Sequence, residues 1–343
     1  MATLRQVAER AGCSLATASR VLNHSGPVSA AMVGKVRKAA GEVGYRAPGV
    51  ANKGARRPVI GVLVPSLTNP VFAASLSGIQ NRMLNAGHSV LIAQSNYDPD
   101  QEADAISGLM SERPTGLILT VCDGMTSQAL QGDLPPTVLL HNLPTDRFPA
   151  AVTVDNFAAG RDLTRFLLSM GHERILFISG SFIASDRASR RYRGYLQALR
   201  DAGKTPFGAM QIPFVSDYDQ IDIAAAMREM RPTAIIGSND LLALGVIAAL
   251  RREGISVPRD ISVAGFDGII IGRLVDPPLT TIDMPDASMG TTAASLLLDI
   301  AENAAPERHL ELAYSLRRGG TVRNLNSDTE EKCRRIGGCG GVS

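Results

Sequence analysis

Apolar runs of about five residues alternate with helical stretches along most of the chain, from residue 59 onward. The runs are VIGVLVP, SVLIAQS, GLILTV, TVLLHN, RILFISG, AIIGSN and ISVAGF. Between them, apolar positions recur at helical spacing near residues 71–86, 99–112, 157–170, 188–202, 218–230, 240–253 and 287–303. Strands that are apolar throughout and separated by helices are typical of parallel sheets covered on both faces. Because roughly 265 residues is large for one open sheet, the pattern predicts an α/β core of two doubly wound parallel-sheet lobes.

The first 45 residues have a different pattern, of three short helices. The first helix is expected to begin after Thr3, a candidate N-cap, and to end at Gly12. Ser14 can cap the second helix, and the third begins at Ser29. Predicted buried positions are Leu4, Val7, Ala8 and Ala11, then Ala18, Val21 and Leu22, then Val33, Val36, Ala40 and Val43. Because only Gly12-Cys13-Ser14 joins the first two helices, we predict a small all-α helix-turn-helix domain over residues 1–46.

The small net charge of +2 conceals two parts of opposite charge. Residues 1–57 hold ten Lys and Arg but two Glu, a net of +8, so the other 286 residues carry −6. A basic module joined to an acidic body indicates a polyanionic partner for the module alone. A composition with 45% hydrophobic and 20% charged residues also excludes a disordered or collagen-like chain.

The outer face of the second helix carries chemistry suited to DNA. In a helix-turn-helix this helix enters the major groove of double-stranded DNA. Small side chains at Ala16 and Ser19 allow close approach to base edges, and Arg20 can donate two hydrogen bonds to a guanine. Contacts to phosphates are expected from Ser14, Thr17 and Asn23. The alternative is a three-helix bundle whose basic face is merely solvated.

Residues 47–58, APGVANKGARRP, mix Pro, Gly and cations and are predicted to form a hinge linker. Lys53 and Arg56 can follow phosphates or a narrow minor groove, in an interaction that salt weakens. The alternative is a plain tether that makes no DNA contact.

Polar side chains follow several of the predicted strands. Ligands of doubly wound sheets bind beyond the carboxyl ends of the strands, so these side chains are candidates for a binding cleft. They are Asn69 and Phe72 after the first run, His141 and Asn142 after the fourth, Arg191 on the helix after the fifth, Asn239 after the sixth and Asp267 after the seventh. Amide, carboxylate and guanidinium groups beside one aromatic ring suit a small polar molecule. The structural alternatives are a helix cap at Asn239-Asp240, a turn held by Asp267 and a solvated cation at Arg191.

The segment TLRQVAERAGCSLATASRVLN, continued by PVSAAMVGKVRKAAGEVGYRAP, resembles the headpiece of the LacI/GalR family of bacterial transcription regulators. The resemblance implies base-reading positions at Leu15, Ala16 and Arg20. It implies backbone-contacting positions at Thr3, Leu4, Ser14, Thr17, Ser19 and Asn23.

From about residue 59 to residue 323 the chain is similar to the effector-binding core of the same family and to periplasmic sugar-binding proteins. The most specific segments are GVLVPSLTNPVF, RYRGYLQAL, SNDLLALGVIAAL and VAGFDGIIIGRLVDPPLTTIDMP. The resemblance implies a periplasmic-binding-protein-like core of type I, with lobe 1 at about 59–155 plus 285–311 and lobe 2 at about 156–284 plus 312–323. It also implies ligand-contacting positions at Asn69, Phe72, Arg191, Asn239 and Asp267. Because the family's cores pair, a homodimer is expected, and residues 324–343 are predicted to form a disordered tail.

Two features depart from the family's pattern. Gly54 stands where the family has a leucine that opens a base step in the minor groove, which puts that wedge in doubt. His141-Asn142 replaces an Asp-Arg pair that often binds sugar hydroxyls. With both charges gone, a polar or anionic effector other than an ordinary hexose has to be considered.

Together these features predict a transcriptional repressor that binds a near-palindromic operator as a dimer. Its affinity is expected to respond to a small polar effector in the cleft between the lobes, such as a sugar, a sugar acid or a related metabolite. The alternative is a solute-binding or ligand-sensing protein without DNA function, which predicts an export signal and no basic headpiece. No enzymatic activity is expected, because the sequence has no GxSxG, HExxH, P-loop or GxGxxG motif and its five histidines form no spaced cluster.

No cofactor and no metal are expected. The four cysteines are predicted to be unpaired thiols, and Cys333 and Cys339 make a weak metal site because no His or second Cys pair lies near them. No apolar run approaches the roughly 18 residues that a membrane span needs. The N-terminus lacks the order of a signal peptide, so we expect a cytoplasmic protein with no membrane partner.

Overall fold

The chain divides at residue 57 into two units, 1–57 and 58–343. The computed structural model describes residues 3–23, 26–45, 57–212 and 218–326. Three features singled out in the sequence lie outside the described residues: the hinge cations Lys53 and Arg56, the glycine at position 54, and the cysteines at positions 333 and 339.

The first unit contains α1 (Leu4–Ala11), α2 (Leu15–Asn23) and α3 (Ala30–Glu42). A capping box starts α1: Gln6 N donates to Thr3 Oγ1 (3.4 Å), and Thr3 N donates to Gln6 Oε1 (2.8 Å). Gly12 ends α1 with a positive φ of 64°, a conformation that costs glycine little because it has no Cβ. At the start of α2, Thr17 N donates to Ser14 Oγ (3.1 Å). The predicted helix starts and the short turn between α1 and α2 are confirmed.

A small apolar core holds the three helices together. Its buried members are Val7, Ala8, Ala18, Val21, Val36, Ala39 and Ala40. The other predicted core positions are only partly buried and pack around these: Leu4, Ala11, Leu22, Val33 and Val43. At the edge of the core, Arg10 Nε donates to Glu42 Oε2 (2.7 Å) and links the end of α1 to the end of α3. Since α2 contributes Ala18 and Val21 to the core, its opposite face is left open.

Two six-stranded sheets form the framework of the second unit. The first contains β1 (Val59–Val64), β2 (Ser89–Gln94), β3 (Gly116–Leu119), β4 (Thr137–Leu140), β5 (Ala151–Thr153) and β11 (His309–Glu311). The second contains β6 (Ile175–Gly180), β7 (Met210–Ile212), β8 (Ala234–Gly237), β9 (Ser262–Asp267), β10 (Thr280–Asp283) and β12 (Ser315–Arg317). The strand orders are β11-β5-β4-β3-β1-β2 and β12-β10-β9-β8-β6-β7. All paired strands are parallel except β10 and β12.

Helices cover both faces of each sheet. They are α4 (Pro70–Asn85), α5 (Pro99–Ser111), α6 (Asn156–Ser169), α7 (Asp186–Asp201), α8 (Ala224–Met230), α9 (Asp240–Arg252), α10 (Ile271–Leu274) and α11 (Asp286–Asn303). In the first sheet, Val62 faces α4 and α11, whereas Leu63 faces α5. In the second, Ile235 faces α9, and Ile236 faces α6 and α7. Successive strand residues point to opposite helical layers, so the predicted pair of doubly wound parallel-sheet lobes is confirmed.

The structure differs from the predicted elements in several places. Residues 218–230 form a 3-10 turn, Tyr218–Gln220, and then α8, where one helix is predicted. Five strands of three or four residues are not predicted, since they lie outside the seven apolar runs: β5, β7, β10, β11 and β12. Residues 324–326 continue the packed structure, since Leu325 N donates to Met170 O (2.8 Å), whereas the predicted tail begins at residue 324.

Membrane-spanning helices are not found in the described part of the chain, where no helix is both long and apolar enough to cross a bilayer.

The backbones of α6 and α7 touch at two glycines. A Cβ built on Gly160 would lie 2.1 Å from Arg191 O, and one built on Gly194 would lie 2.1 Å from Phe157 O. No carbon atom can approach a carbonyl oxygen so closely, so any larger residue must push the helices apart. This close contact fixes the separation of α6 and α7, the helix that carries Arg191.

Gly160→Ala should destabilise the second unit by about 1–3 kcal/mol, because the added methyl group collides with backbone that cannot rotate away. The free energy of unfolding in urea is the measurement. Gly108→Ala in α5 is the matched control, since a Cβ there meets no atom within 4 Å and alanine favours the helix. Equal effects of the two substitutions would contradict the close contact.

Candidate functional site

α2 presents one face to the core of the first unit and the other to solvent. Ala18 and Val21 are buried, whereas Leu15 is 52% exposed and Ala16 and Arg20 are also exposed. The three predicted base-reading residues therefore share one open face. This is the arrangement that a recognition helix needs, because base edges are reached only by side chains that are free of the core.

The predicted backbone-contacting residues lie around that face. Thr3 and Ser14 are exposed at the starts of α1 and α2, where Ser14 Oγ also lies 2.9 Å from Thr17 Oγ1. Asn23 is the last residue of α2. Half-buried beside them are Leu4, Thr17 and Ser19. Helix N-termini present backbone N–H groups and positive dipole ends, which suit phosphate oxygens.

In the second unit, a cavity lies between the two sheets. The structure brings six of the seven predicted cleft residues into its wall: Asn69, Phe72, His141, Arg191, Asn239 and Asp267. Because they come from both sheets, the cavity lies at the boundary of the two lobes, beyond the carboxyl ends of the parallel strands.

Two of the wall residues are also helix caps. Asn69 Oδ1 accepts from Val71 N (3.1 Å) at the start of α4, and Asn69 Nδ2 donates to Tyr97 Oη (3.1 Å). Asn239 Oδ1 accepts from Leu242 N (2.7 Å) at the start of α9. The alternative that Asn239 caps a helix is therefore correct, and Asn239 lies in the cavity wall as well.

An ion pair between Arg191 and Asp267 lies at the centre of the cavity wall. Arg191 Nη1 donates to Asp267 Oδ1 (2.9 Å) and to Ser238 O (2.6 Å), while Arg191 Nε donates to Asn156 Oδ1 (2.8 Å). The guanidinium also lies 4.8 Å from the centre of the Phe266 ring. Arg191 is only 9% exposed, so it is not the solvated cation of the structural alternative.

Phe72 and His141 form an aromatic pair in the wall. Their ring centres are 5.9 Å apart in an edge-to-face arrangement, and His141 Nε2 lies 3.1 Å from Ser75 Oγ. Burial, with the nearby cations of Arg187 and Arg191 acting in the same direction, lowers the pKa of His141 to about 3. The imidazole is therefore neutral at physiological pH.

Asn142 lies outside the cavity wall, in contrast to its predicted place. It is fully buried, with Oδ1 accepting from Val121 N (2.9 Å) and Nδ2 donating to Val121 O (3.0 Å) and to Asp186 Oδ2 (2.9 Å). Since Val121 follows β3 in the first lobe and Asp186 begins α7 in the second, Asn142 connects the lobes. A side chain whose polar atoms are already bonded has little left for a ligand.

Several wall residues are missed by the sequence reasoning. They are Tyr97, Asn156, Ser185, Arg187, Ser238 and Asp286. Tyr97 and Ser238 follow the strands β2 and β8, so the rule about strand ends could have found them. Arg187 and Asp286 lie in the first turns of helices, where that rule gives no signal.

Burial changes the charge that the aspartates carry near the cavity. It raises the pKa of Asp240 to about 8, and Asp240 accepts hydrogen bonds from Thr281 Oγ1 (2.6 Å) and Ile269 N (2.9 Å). It raises the pKa of Asp286 well above its usual range, and the nearby Asp267 carboxylate adds to that rise. It also raises the pKa of Asp267, which the Arg191 guanidinium opposes. The cavity is therefore less negative at neutral pH than its carboxyl groups suggest.

Metal ligands do not gather in the described part of the chain, where no three His, Cys, Asp or Glu side chains are placed to hold an ion. Cys13 and Cys122 are free thiols.

His141→Asn should reduce the amount by which the free energy of unfolding falls as the solution becomes acidic. The unfolded histidine takes up a proton below its ordinary pKa of about 6.5 whereas the folded one does not, so folding is penalised as pH falls from 6.5 towards 3. The wild type should lose about 2 kcal/mol more than the variant between pH 7 and pH 5. Asparagine tolerates the positive φ of 68° at this position. Parallel pH profiles of the free energy of unfolding would show that His141 is protonated in the folded protein.

Two family models match the chain. The model of bacterial regulatory proteins of the lacI family matches residues 3–47, and the model of periplasmic binding proteins and the sugar binding domain of the LacI family matches residues 57–316.

Curated relatives and a solved structure match over nearly the whole length. The HTH-type transcriptional regulator GntR of Escherichia coli K12 is 33% identical over 327 residues, covering 93% of this chain and 98% of its own. The HTH-type transcriptional repressor PurR of Vibrio atlanticus is 32% identical over 340 residues, covering 95% and 100%. The lac repressor dimer bound to operator and the anti-inducer ONPF is similar with a TM-score of 0.69 and 27% identity, covering 94% of this chain and 99% of its own. These relatives are transcriptional regulators and not enzymes, and the chain therefore belongs to the LacI family of bacterial regulatory proteins.

Proposed function

We propose that the protein is a transcriptional repressor that binds a near-palindromic operator in double-stranded DNA as a homodimer. Its operator affinity is controlled by a small polar effector, such as a sugar, a sugar acid or a related metabolite, in the cavity between the lobes. The observation that carries the proposal is the open face of α2, which displays Leu15, Ala16 and Arg20 on a capped helix-turn-helix. The related lac repressor is a dimer bound to operator, which supports the same assembly here.

On DNA, α2 lies in the major groove with Arg20 donating to a guanine, and Leu15 and Ala16 contact neighbouring base edges. Contacts to phosphates come from Thr3, Leu4, Ser14, Thr17, Ser19 and Asn23, and from the hinge cations Lys53 and Arg56. Two headpieces in a dimer match the two half-sites of a near-palindrome. A protein that acts on chromosomal DNA works in the cytoplasm, without a membrane partner.

We also propose the division of the chain into a headpiece (1–46), a hinge linker (47–58) and a core (59–323). Lobe 1 is assigned to 59–155 plus 285–311, and lobe 2 to 156–284 plus 312–323. The family models, which meet between residues 47 and 57, support the first division, and the membership of the two sheets supports the second.

The effector contacts proposed for the cavity are made by Asn69, Phe72, His141, Arg191, Asn239 and Asp267. Asn142 contributes indirectly, because its hydrogen bonds to Val121 and Asp186 connect the two lobes. A solute-binding protein without DNA function is the weaker alternative, because its core would need no basic helix-turn-helix. The lacI-family match at residues 3–47 argues for the DNA-binding function.

Arg20→Ala should relax base preference at one position in each half-site, with a loss of about 1–3 kcal/mol of discrimination. Affinities for an operator and its single-base variants, measured by fluorescence anisotropy at fixed salt, test this. Arg5→Ala is the control, since Arg5 is an exposed cation on α1 that pairs with Glu9 (3.4 Å). Lys53→Ala should instead weaken binding to all sequences alike. Unchanged base selectivity in the Arg20 variant would refute its role as a reading residue.

Asp267→Asn should strongly weaken the response to the effector, because it removes the carboxylate that orients Arg191 and faces the ligand. The effector is first found as the compound that raises the melting temperature in a screen of sugars, sugar acids and phosphorylated metabolites. The concentration of that compound that gives half of the maximal change in operator binding should rise at least about tenfold. Asp260→Asn, an exposed carboxylate paired with Arg259 in the same lobe, is the control. A normal response of the Asp267 variant would place the effector elsewhere.

A further inference from the structure

Arg187 is a buried cation in the cavity wall to which neither the proposed contacts nor the sequence resemblance assigns a ligand. It is 7% exposed, although it lies in the first turn of α7. Its Nη1 donates to Val121 O (2.9 Å) and to Asp186 Oδ1 (3.2 Å). Arg187 thus connects α7 of the second lobe to the loop after β3 in the first lobe.

Two buried polar atoms in this wall have no hydrogen-bond partner among the described residues. They are Arg187 Nη2 and Ser238 Oγ, and both residues face the cavity. Folded proteins rarely leave buried polar groups unbonded, because such a group loses its bonds to water and gains nothing in return. A guanidinium nitrogen and a hydroxyl group that share one cavity wall are suited to oxygen atoms of a ligand.

The charges around Arg187 favour an anion in the cavity. The positive charge of Arg191 is already paired with Asp267, and His141 is neutral. The Asp186 carboxyl group is the ion-pair partner of Arg187, but burial raises its pKa, an effect that Arg187 and the hydrogen bond from Asn142 oppose. Burial likewise holds Asp286 towards its neutral form. Arg191 thus pairs with a carboxylate on a facing strand, whereas Arg187 pairs with the residue beside it and keeps a buried Nη2 that has no partner among the described residues.

We propose that the effector carries an anionic oxygen group, a carboxylate or a phosphate, that binds Arg187 Nη2. This inference rests on the proposed function of the cavity as an effector site. The ligand class is a polyhydroxylated acid or a sugar phosphate, whose hydroxyl groups are bound by the polar wall residues and by Ser238 Oγ. Charged hydrogen bonds of this kind are about twice as strong as neutral ones, so they dominate selection among similar sugars.

The same contact explains how the ligand acts on both lobes. Arg187 already donates to Val121 O across the boundary, and Asp186 N donates to Cys122 O (2.8 Å) nearby. An anion held by Nη2 binds the same guanidinium group whose Nη1 donates across the boundary to Val121 O. Arg187 therefore takes part both in ligand binding, through Nη2, and in the contact between the lobes, through Nη1.

The test is a thermal-shift screen of the full chain with aldonates, uronates and sugar phosphates, each beside its neutral parent sugar. An anionic compound is expected to give the largest stabilisation, with a dissociation constant at least tenfold below that of its neutral parent. The comparison of acids with phosphates identifies which anionic group is bound. A neutral sugar that binds as tightly as its acid, or no stabilisation by any anionic compound, overturns the proposal.

Variants of the wall locate the contact. Arg187→Gln should weaken binding of the anionic compound at least tenfold while changing the affinity for its neutral parent little, and Arg187→Lys should retain part of the preference. Arg193→Gln, on the exposed side of α7, is the matched control and should bind as the wild type does. If Arg187→Gln is too unstable to compare, the Lys variant and the salt dependence of wild-type binding give the same information. An unchanged preference in the folded variant shows that Arg187 is only structural and overturns the proposal.

Operator affinity measured in the same samples separates this inference from the proposed function. If a neutral sugar binds and changes operator affinity, effector control stands and the role of Arg187 fails. If an anion binds through Arg187 and operator affinity stays constant, the contact stands and effector control fails.

Discussion

Arg191 and Asp267 form an ion pair that is almost removed from water, and four segments of the second lobe depend on its geometry. The guanidinium joins α7 to the ends of β8 and β9 and, through Asn156, to the start of α6. A buried charge without its partner costs several kcal/mol, so each of these segments is held where the pair can form. The glycine contacts between α6 and α7 serve the same geometry, because they set the separation across which Arg191 Nε reaches Asn156.

The site is built largely from groups that already stabilise the fold. Asn69 and Asn239 cap α4 and α9, and Asp240 is held by Thr281 and Ile269 behind the wall. Caps fix the orientation of their side chains without a ligand, which lowers the entropy that binding must offset. For the same reason the structural and the binding interpretations of a residue at a strand end are not exclusive, and a substitution there affects both stability and affinity.

Much of the fold follows from the apolar pattern of the sequence. Strands that lie in continuous apolar runs and helices of three or more turns can be recognised in the sequence, whereas the three-residue strands β5 and β11 cannot. The strand-end rule locates six wall residues because parallel strands bring their carboxyl ends together. It fails for Asn142, since the rule predicts position along the sheet but not which way a side chain turns. It also fails for Arg187, because the burial of Arg187 depends on how the two lobes meet. Local sequence patterns do not show how the lobes meet.

The energy of the lobe boundary determines what an effector can achieve. In the described residues, the bonds across it include Asn142 to Asp186, Arg187 to Val121 and Asp186 to Cys122. Intramolecular hydrogen bonds contribute about 1 kcal/mol each, so this group is worth a few kcal/mol. Allosteric couplings of about 1–3 kcal/mol are of the same size, whereas a complete switch from 1:99 to 99:1 needs about 5.5 kcal/mol. A ligand that adds one or two bonds at this boundary therefore shifts the lobe equilibrium substantially, and its largest effect comes from groups that contact both lobes at once.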